Sequence, residues 1–341
     1  MLNAALIGLG YWGKNLARNL AADKDINLHT ICDMNIDLTK QNAEKYAAVA
    51  RVTDDYDAVI RDPSIDAIVI ATPIATHFDL AKKALEAKKH VFVEKPLASS
   101  VLECDALIEI SDRNKLVLMV GHVFEFNSAV IKVKELIDSG EIGEVLYING
   151  QRLNLGRVQT NLNALWSLAP HDISITNLWL QAEPNAVSAR GFSYLTNGVE
   201  DVVFVTLEYP GNISVSLTLS WLDPRKSRLM TVVGTDKMVV YDDVSLDGKI
   251  SIHDKGIENL SKFLKEPESF SEFHHKIRNG DVLFPNLNFI EPLAVECAHF
   301  AECILNNRTP RTDGRNGRNV VKVLEAAQKS LKNQGERITL A

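Results

Sequence analysis

Apolar positions in the first third of the chain come in short unbroken runs separated by helical patterns. Ala4 to Ile7 precedes a helix from about Lys14, and Leu28 to Cys32 precedes one over Leu38 to Ala47. Ala67 to Ala71 and Val91 to Val93 lead into helices over Phe78 to Lys88 and Leu102 to Asn114, and Leu116 to Val120 closes the series. A strand covered by helices on both faces lacks the polar alternation of a half-exposed strand. The pattern therefore predicts an α/β fold with a doubly wound parallel sheet, the Rossmann type.

After Gly121 the pattern changes. A helix over Ala129 to Asp138 ends at Ser139-Gly140. Strand-like segments follow at Val145 to Asn154, Ala186 to Tyr194, Val202 to Tyr209, Ile213 to Trp221, Arg228 to Val233 and Met238 to Tyr241. Pro210-Gly211-Asn212 and Gly234-Thr235-Asp236 carry the residue types of hairpin turns. Residues 1–121 are thus expected to form one domain and residues 122–341 a second, an α+β domain with a largely antiparallel open sheet and helices on one face. Val320, Val323, Leu324, Ala327 and Leu331 predict a closing helix over about 320–331, packed against the body of the protein. An outer sheet face carrying Val203, Val205, Val215 and Leu217 would expose an apolar patch, so a homodimer or homotetramer is expected to cover it.

Composition narrows the function classes. The 341 residues are 46 % hydrophobic and 24 % charged, ordinary for a folded chain. The formal charge of −7, with no Lys/Arg block, argues against a nucleic-acid partner. No apolar run approaches the ~20 residues of a membrane span, and no basic residue precedes Lys14, so neither a membrane nor a secretory signal is expected. Cys32, Cys104, Cys297 and Cys303 form no CxxC pair, which reads as reduced thiols in a cytoplasmic protein. No HxxxH, HExxH or clustered Cys/His spacing calls for a metal.

The segment Gly8-Leu9-Gly10-Tyr11-Trp12-Gly13 is GxGxxG after a strand and before a helix. Gly8 would allow the tight turn, Gly10 the approach of a diphosphate, and Gly13 close helix packing, with Tyr11 and Trp12 in the same cofactor loop. Asp33 ends the second strand 20 residues past Gly13, where a carboxylate can accept hydrogen bonds from a ribose 2′-hydroxyl. Met34 and Asn35 follow it, so no cation offsets a 2′-phosphate and NAD is expected over NADP. Lys95 stands at the carboxyl end of a parallel strand, where ligands of open α/β sheets bind. Pro170 before His171 reads as a helix start, and a helix N-terminus would favour the neutral imidazole that a general base requires. On residue type alone His77, His122, His274 and His275 compete for that role.

Ala71-Thr72-Pro73-Ile74-Ala75-Thr76-His77 and Val93-Glu94-Lys95-Pro96-Leu97, read with the glycine loop and the two-domain layout, resemble the Gfo/Idh/MocA family of NAD(P)-dependent sugar oxidoreductases. The resemblance implies that Lys95 lies beside the nicotinamide and the reacting hydroxyl, and that His171 in Ala169-Pro170-His171-Asp172 is the acid/base. It places Thr72, Pro73, His77 and Glu94 with the cofactor, and His122, Asn154, Arg157 and Trp166 with the substrate. The family commonly has an aspartate four residues before the histidine, whereas Ser167 stands here and Asp172 follows directly. Asn154-Leu155-Gly156, Leu165-Trp166 and Ser220-Trp221-Leu222-Asp223-Pro224 resemble the subgroup that oxidises C3 of UDP-N-acetylglucosamine to a ketone. The expected function is therefore NAD-dependent oxidation of a sugar hydroxyl, at C3 of a UDP-N-acetylhexosamine such as UDP-N-acetylglucosamine or its uronic acid. A free sugar or inositol as substrate, and a non-catalytic NAD- or sugar-sensing protein of the same fold, stay open.

Overall fold

The computed structural model describes residues 1–46, 49–156, 162–257 and 277–340. They form two compact units, Met1–Phe126 with Ile290–Lys322 and Asn127–Phe289 with Val323–Ala341. This differs from the single boundary expected at 121/122, because residues 290–322 return to the first unit.

The first unit is built on six parallel strands, β1 (Leu2–Ile7), β2 (Ile26–Cys32), β3 (Arg51–Thr53), β4 (Ala67–Ile70), β5 (His90–Glu94) and β6 (Leu118–Gly121). Their order is β3-β2-β1-β4-β5-β6. The chain runs outward from β1 in one direction and restarts at β4 in the other, which leaves a crevice beyond the carboxyl ends of β1 and β4. All four residues of β4 are buried, as its unbroken Ala67-Ile68-Val69-Ile70 run requires of a strand covered on both faces.

The crossovers are α1 (Gly13–Ala22), α2 (Ile36–Ala43), α3 (Tyr56–Arg61), α4 (His77–Glu86) and α5 (Val101–Asn114). Asp55 and Ser100 cap α3 and α5 by accepting from the backbone N–H groups of Ala58 and Glu103. The strand β3 and helix α3 are three and six residues long, too short for a periodic signal.

In the second unit, α6 (Ser128–Asp138) and α7 (Ala164–Leu180) accompany β7 (Val145–Leu153), β8 (Ala186–Phe192), β9 (Val202–Tyr209), β10 (Ile213–Ser220), β11 (Ser227–Gly234), β12 (Met238–Asp242), β13 (Ile250–Ile257), β14 (Ile277–Leu283) and β15 (Ile338–Thr339). The sheet order is β14-β13-β12-β11-β7-β10-β9-β8-β15, antiparallel except for the parallel β7–β10 pair. Pro210–Asn212 joins β9 to β10 as expected, with Gly211 and Asn212 both at positive φ. Two further helices are α8 (Pro292–Leu305) and α9 (Gly314–Lys332); α9 begins six residues before the stripe at Val320.

The outer-face expectation for the second sheet is overturned. Val203, Val205, Val215 and Leu217 are all buried within the chain. Register pairs Leu217 with Val205 and Leu219 with Val203, so these side chains share the inner face on which α7 packs. The outward alternates are Phe204, Thr206, Ser214, Ser216 and Thr218, a mostly polar set. A one-residue shift of face is the ambiguity that strict alternation leaves when both faces hold β-branched residues.

Among the described residues, no helix is long and apolar enough to cross a membrane. The four cysteines are buried and form no disulfide.

Candidate functional site

In the first unit the glycine loop follows β1 directly. Gly8 has φ +93°, and a Cβ there would lie 2.7 Å from the Ala71 carbonyl oxygen at the end of β4. A Cβ at Gly13 would lie 2.1 Å from the Gly8 carbonyl oxygen, so only glycine lets α1 begin so close to the turn. At Gly10 a Cβ would meet no atom of the described chain within 4 Å. The first and third glycines thus answer to the chain's own packing, and the second leaves its backbone open to an approaching group. Trp12, at the cap position of α1, makes no side-chain bond to the helix. A strand-end crevice, an open Gly10 and a helix N-terminus together fit a dinucleotide diphosphate.

Asp33 is tied to the same loop. Its Oδ2 accepts from the Leu9 backbone N–H at 2.6 Å and its Oδ1 from that of Asn35 at 2.8 Å. The carboxylate is therefore fixed beside the glycines. Tyr11 stands exposed in the loop.

On the other side of the crevice, Thr72 lies 2.7 Å from the Thr76 hydroxyl, which donates to the Pro73 carbonyl oxygen at 2.8 Å. A hydroxyl has one proton, so Thr72 is the donor of that pair. Pro73 is exposed. His77 turns inward: Nδ1 is 2.8 Å from the Pro96 carbonyl oxygen and Nε2 2.8 Å from that of Thr72. Burial lowers its pKa while the two carbonyls raise it, and burial wins. His77 therefore fastens the Thr72 loop to the Pro96 loop, and its ring presents no nitrogen to a ligand.

Glu94 ends β5 and is buried, with Oε1 accepting from the Trp12 indole N–H at 2.5 Å. Burial pushes its pKa up to about 7, although Lys95 and the Trp12 bond pull the other way. Lys95 follows at the strand end, half-buried, and the Lys95-Pro96 peptide is cis. His122, just past β6, is fully buried with no partner on either ring nitrogen among the described residues. Burial and the Lys95 cation press its pKa to about 3, which keeps it neutral.

In the second unit His171 is half-buried inside α7, not at its start. Asn163 caps the helix by accepting from the Trp166 N–H, and His171 is the eighth helical residue, with Pro170 within the helix before it. The expectation of an N-terminal field on His171 is therefore wrong, because that field fades within the first turn. Ser167 lies one turn earlier on the same side of the helix. Asp172 points elsewhere: its carboxylate accepts from Arg152 Nη2 at 2.6 Å and from Arg152 Nε at 3.0 Å, with side chains 3 % and 7 % exposed. Burial alone would lower the Arg152 pKa, and Asp172 more than offsets it. The pair pins α7 to β7 beside His171, so Asp172 is not the carboxylate that orients the imidazole.

Trp166 is half-buried on α7. Asn154 follows β7, with its backbone N–H on the Ser220 carbonyl oxygen at 3.1 Å. Arg157, His274 and His275 lie outside the described residues.

Sequence reasoning passed over α8 and Glu296. Leu293, Cys297, Phe300 and Ala301 pack from α8 into the first unit's core, where Phe300 meets Phe92 edge-on at 5.7 Å. Glu296 is on that helix, 0 % exposed, with no partner on either carboxyl oxygen among the described residues. Burial, then Glu94 and Glu125, hold its pKa well above the ordinary carboxylate value. A charged residue inside the stripe Leu293, Cys297, Phe300 was the available signal.

Inositol 2-dehydrogenase of Salmonella typhimurium is 29 % identical over 221 residues, 63 % of this chain and 66 % of that protein. The scyllo-inositol 2-dehydrogenase (NAD(+)) of Bacillus subtilis is 28 % identical over 324 residues, covering 91 % of this chain and 88 % of that one. The structure of UDP-N-acetylglucosamine 3-dehydrogenase from Acidithiobacillus ferrooxidans superposes with a TM-score of 0.80 at 23 % identity, over 97 % of this chain and 98 % of that one. Residues 2–122 match the NAD-binding Rossmann fold of the GFO/IDH/MocA oxidoreductase family and residues 130–240 its C-terminal domain, and the chain belongs to that family.

Proposed function

We propose that the chain is an NAD-dependent dehydrogenase that oxidises a sugar hydroxyl to a ketone, at C3 of a UDP-linked N-acetylhexosamine. The observation that carries the dehydrogenase reading is Lys95. It is a cation at the end of β5, next to a Glu94 carboxyl that is hydrogen-bonded to the cofactor loop through Trp12. Gly8, Gly10 and Gly13 would hold the diphosphate, with Asp33 on the adenosine ribose. Bound there, NAD supplies the hydride acceptor.

In the chain's own chemistry, Lys95 donates a charge-assisted hydrogen bond to the substrate oxygen and stabilises the negative charge that develops on it. His171 takes the hydroxyl proton as general base. No helix terminus acts on its ring, and α7 holds it through the Arg152–Asp172 pair at the next residue. The UDP-sugar reading draws on the Acidithiobacillus relative, 26 % identical over 261 residues. The inositol dehydrogenases at 28 % and 29 % identity favour a second reading, a free cyclitol as substrate.

NADH absorbance with UDP-N-acetylglucosamine, its uronic acid, myo-inositol and scyllo-inositol separates the two. Turnover with the UDP-sugars alone supports the first, and turnover with the cyclitols alone replaces it with the second. Absence of turnover across the panel, with NAD still bound, refutes both in favour of a sensing protein. His171→Asn is expected to lower turnover by ~10² to 10⁴-fold with NAD affinity kept. Lys95→Met is expected to abolish turnover while NAD still binds. Either variant keeping more than about a third of wild-type turnover would reject the role of that residue.

A further inference from the structure

Trp12 and Glu94 are 82 residues apart in sequence, yet the indole N–H of one donates to the carboxyl of the other at 2.5 Å. Trp12 is the last residue before Gly13, so its position is set by the glycine loop. Glu94 is the last residue of β5, so its position is set by the sheet. The second carboxyl oxygen accepts from the Lys95 backbone N–H at 3.3 Å. Gly121, at the end of the neighbouring β6, makes the space: a Cβ there would stand 3.0 Å from the Glu94 carboxyl.

We propose that Trp12 is a positioning residue for the dehydrogenation: its indole N–H holds the Glu94 carboxylate beside Lys95, so that seating a diphosphate on the loop and ionising Glu94 are linked. The inference rests on the dehydrogenase reading of Lys95. A hydrogen bond to a carboxylate is stronger than one to a neutral acid. Any ligand that fixes the loop with Trp12 in this place therefore favours ionised Glu94, and by linkage ionised Glu94 favours the ligand.

The groups around Glu94 fit this role. From its own strand end it faces Lys95. His122, past β6, is neutral and beside Lys95. From α8 it faces Glu296, with Glu125 beyond, and burial, then Glu94 and Glu125, raise the Glu296 pKa well above the ordinary carboxylate value. Cys297, next to Glu296, is kept as a thiol by its burial. Burial lowers the pKa of His77, near Lys95, against the pull of its two carbonyl partners. Lys95 is thus the cation that opposes the rise, and burial still lifts the Glu94 pKa to about 7.

The test does not require turnover. Tryptophan fluorescence of the free protein is followed from pH 5.5 to 8.5 in wild type, Trp12→Phe and Glu94→Gln. Wild type is expected to show a transition near pH 7 that both variants lack. NAD affinity measured calorimetrically at pH 6 and pH 8 is expected to tighten by about five-fold in wild type, the difference between a charged and a neutral acceptor, and to be pH-independent in Trp12→Phe. A transition that persists in Trp12→Phe, or none in wild type, overturns the proposal. If wild type shows the transition but NAD does not bind at either pH, the linkage is refuted together with the cofactor reading, whereas NAD binding with equal affinity at both pH values refutes the linkage alone.

Discussion

Replacing Asp172 with alanine leaves the Arg152 guanidinium charged and without its carboxylate in a site where its side chain is only 7 % exposed. Water cannot screen it there, and three hydrogen bonds of 2.6 to 3.1 Å are lost at once. Removing one member of a buried pair costs about 3–5 kcal/mol, chiefly the penalty of the stranded charge. Asp172→Ala is therefore expected to lower the unfolding free energy of the second unit by that amount in urea titrations. The double variant Arg152→Met/Asp172→Leu removes both charges and keeps apolar volume, and it should return to within about 1 kcal/mol of wild type. The pair also fixes the turn of α7 that presents His171, so Asp172→Ala should lower turnover with NAD affinity unchanged. A loss under ~1 kcal/mol for Asp172→Ala, or a double variant as unstable as the single, would refute the reasoning, since a pair worth so little behaves as a solvated surface contact.

Asp33→Ala should narrow the preference for NAD over NADP, measured as the ratio of kcat/KM for the two cofactors; equal efficiency in the unmodified protein would show that the carboxylate does not read the ribose. For Glu94, the folded pKa near 7 is above its ordinary value, so the folded state binds the extra proton in between. Its contribution to stability is then present at low pH and lost as pH rises from about 4.5 to about 7. Glu94→Gln should flatten the fall of thermal midpoint across that window, and a profile parallel to wild type would remove the assignment.

Local physics made much of the first unit legible. The run Ala67 to Ile70 can be satisfied only by burial on both faces, and Gly8, Gly10 and Gly13 encode a turn that few other residues tolerate, so strand, loop and following helix were readable in place. The strand-end position of Lys95 followed from the same reading, and so did the hairpin at Gly211-Asn212, where two residues at positive φ reverse the chain. Other features depend on partners distant in sequence. Alternation along Val202 to Tyr209 shows that one face is buried but not which one, and only the helices packed against Val203 and Val205 decide it. Pro170 looks like a helix start because proline is at home in a first turn, yet Asn163 caps α7 seven residues earlier. The bonds from Trp12 to Glu94 and from Arg152 to Asp172, and the return of α8 with Glu296 to the first core, join segments that no local pattern connects. Residue types at strand ends and turns are local information; which of them are buried is settled by tertiary packing, and burial shifts the pKa of Glu94 and Glu296 up and that of His122 down.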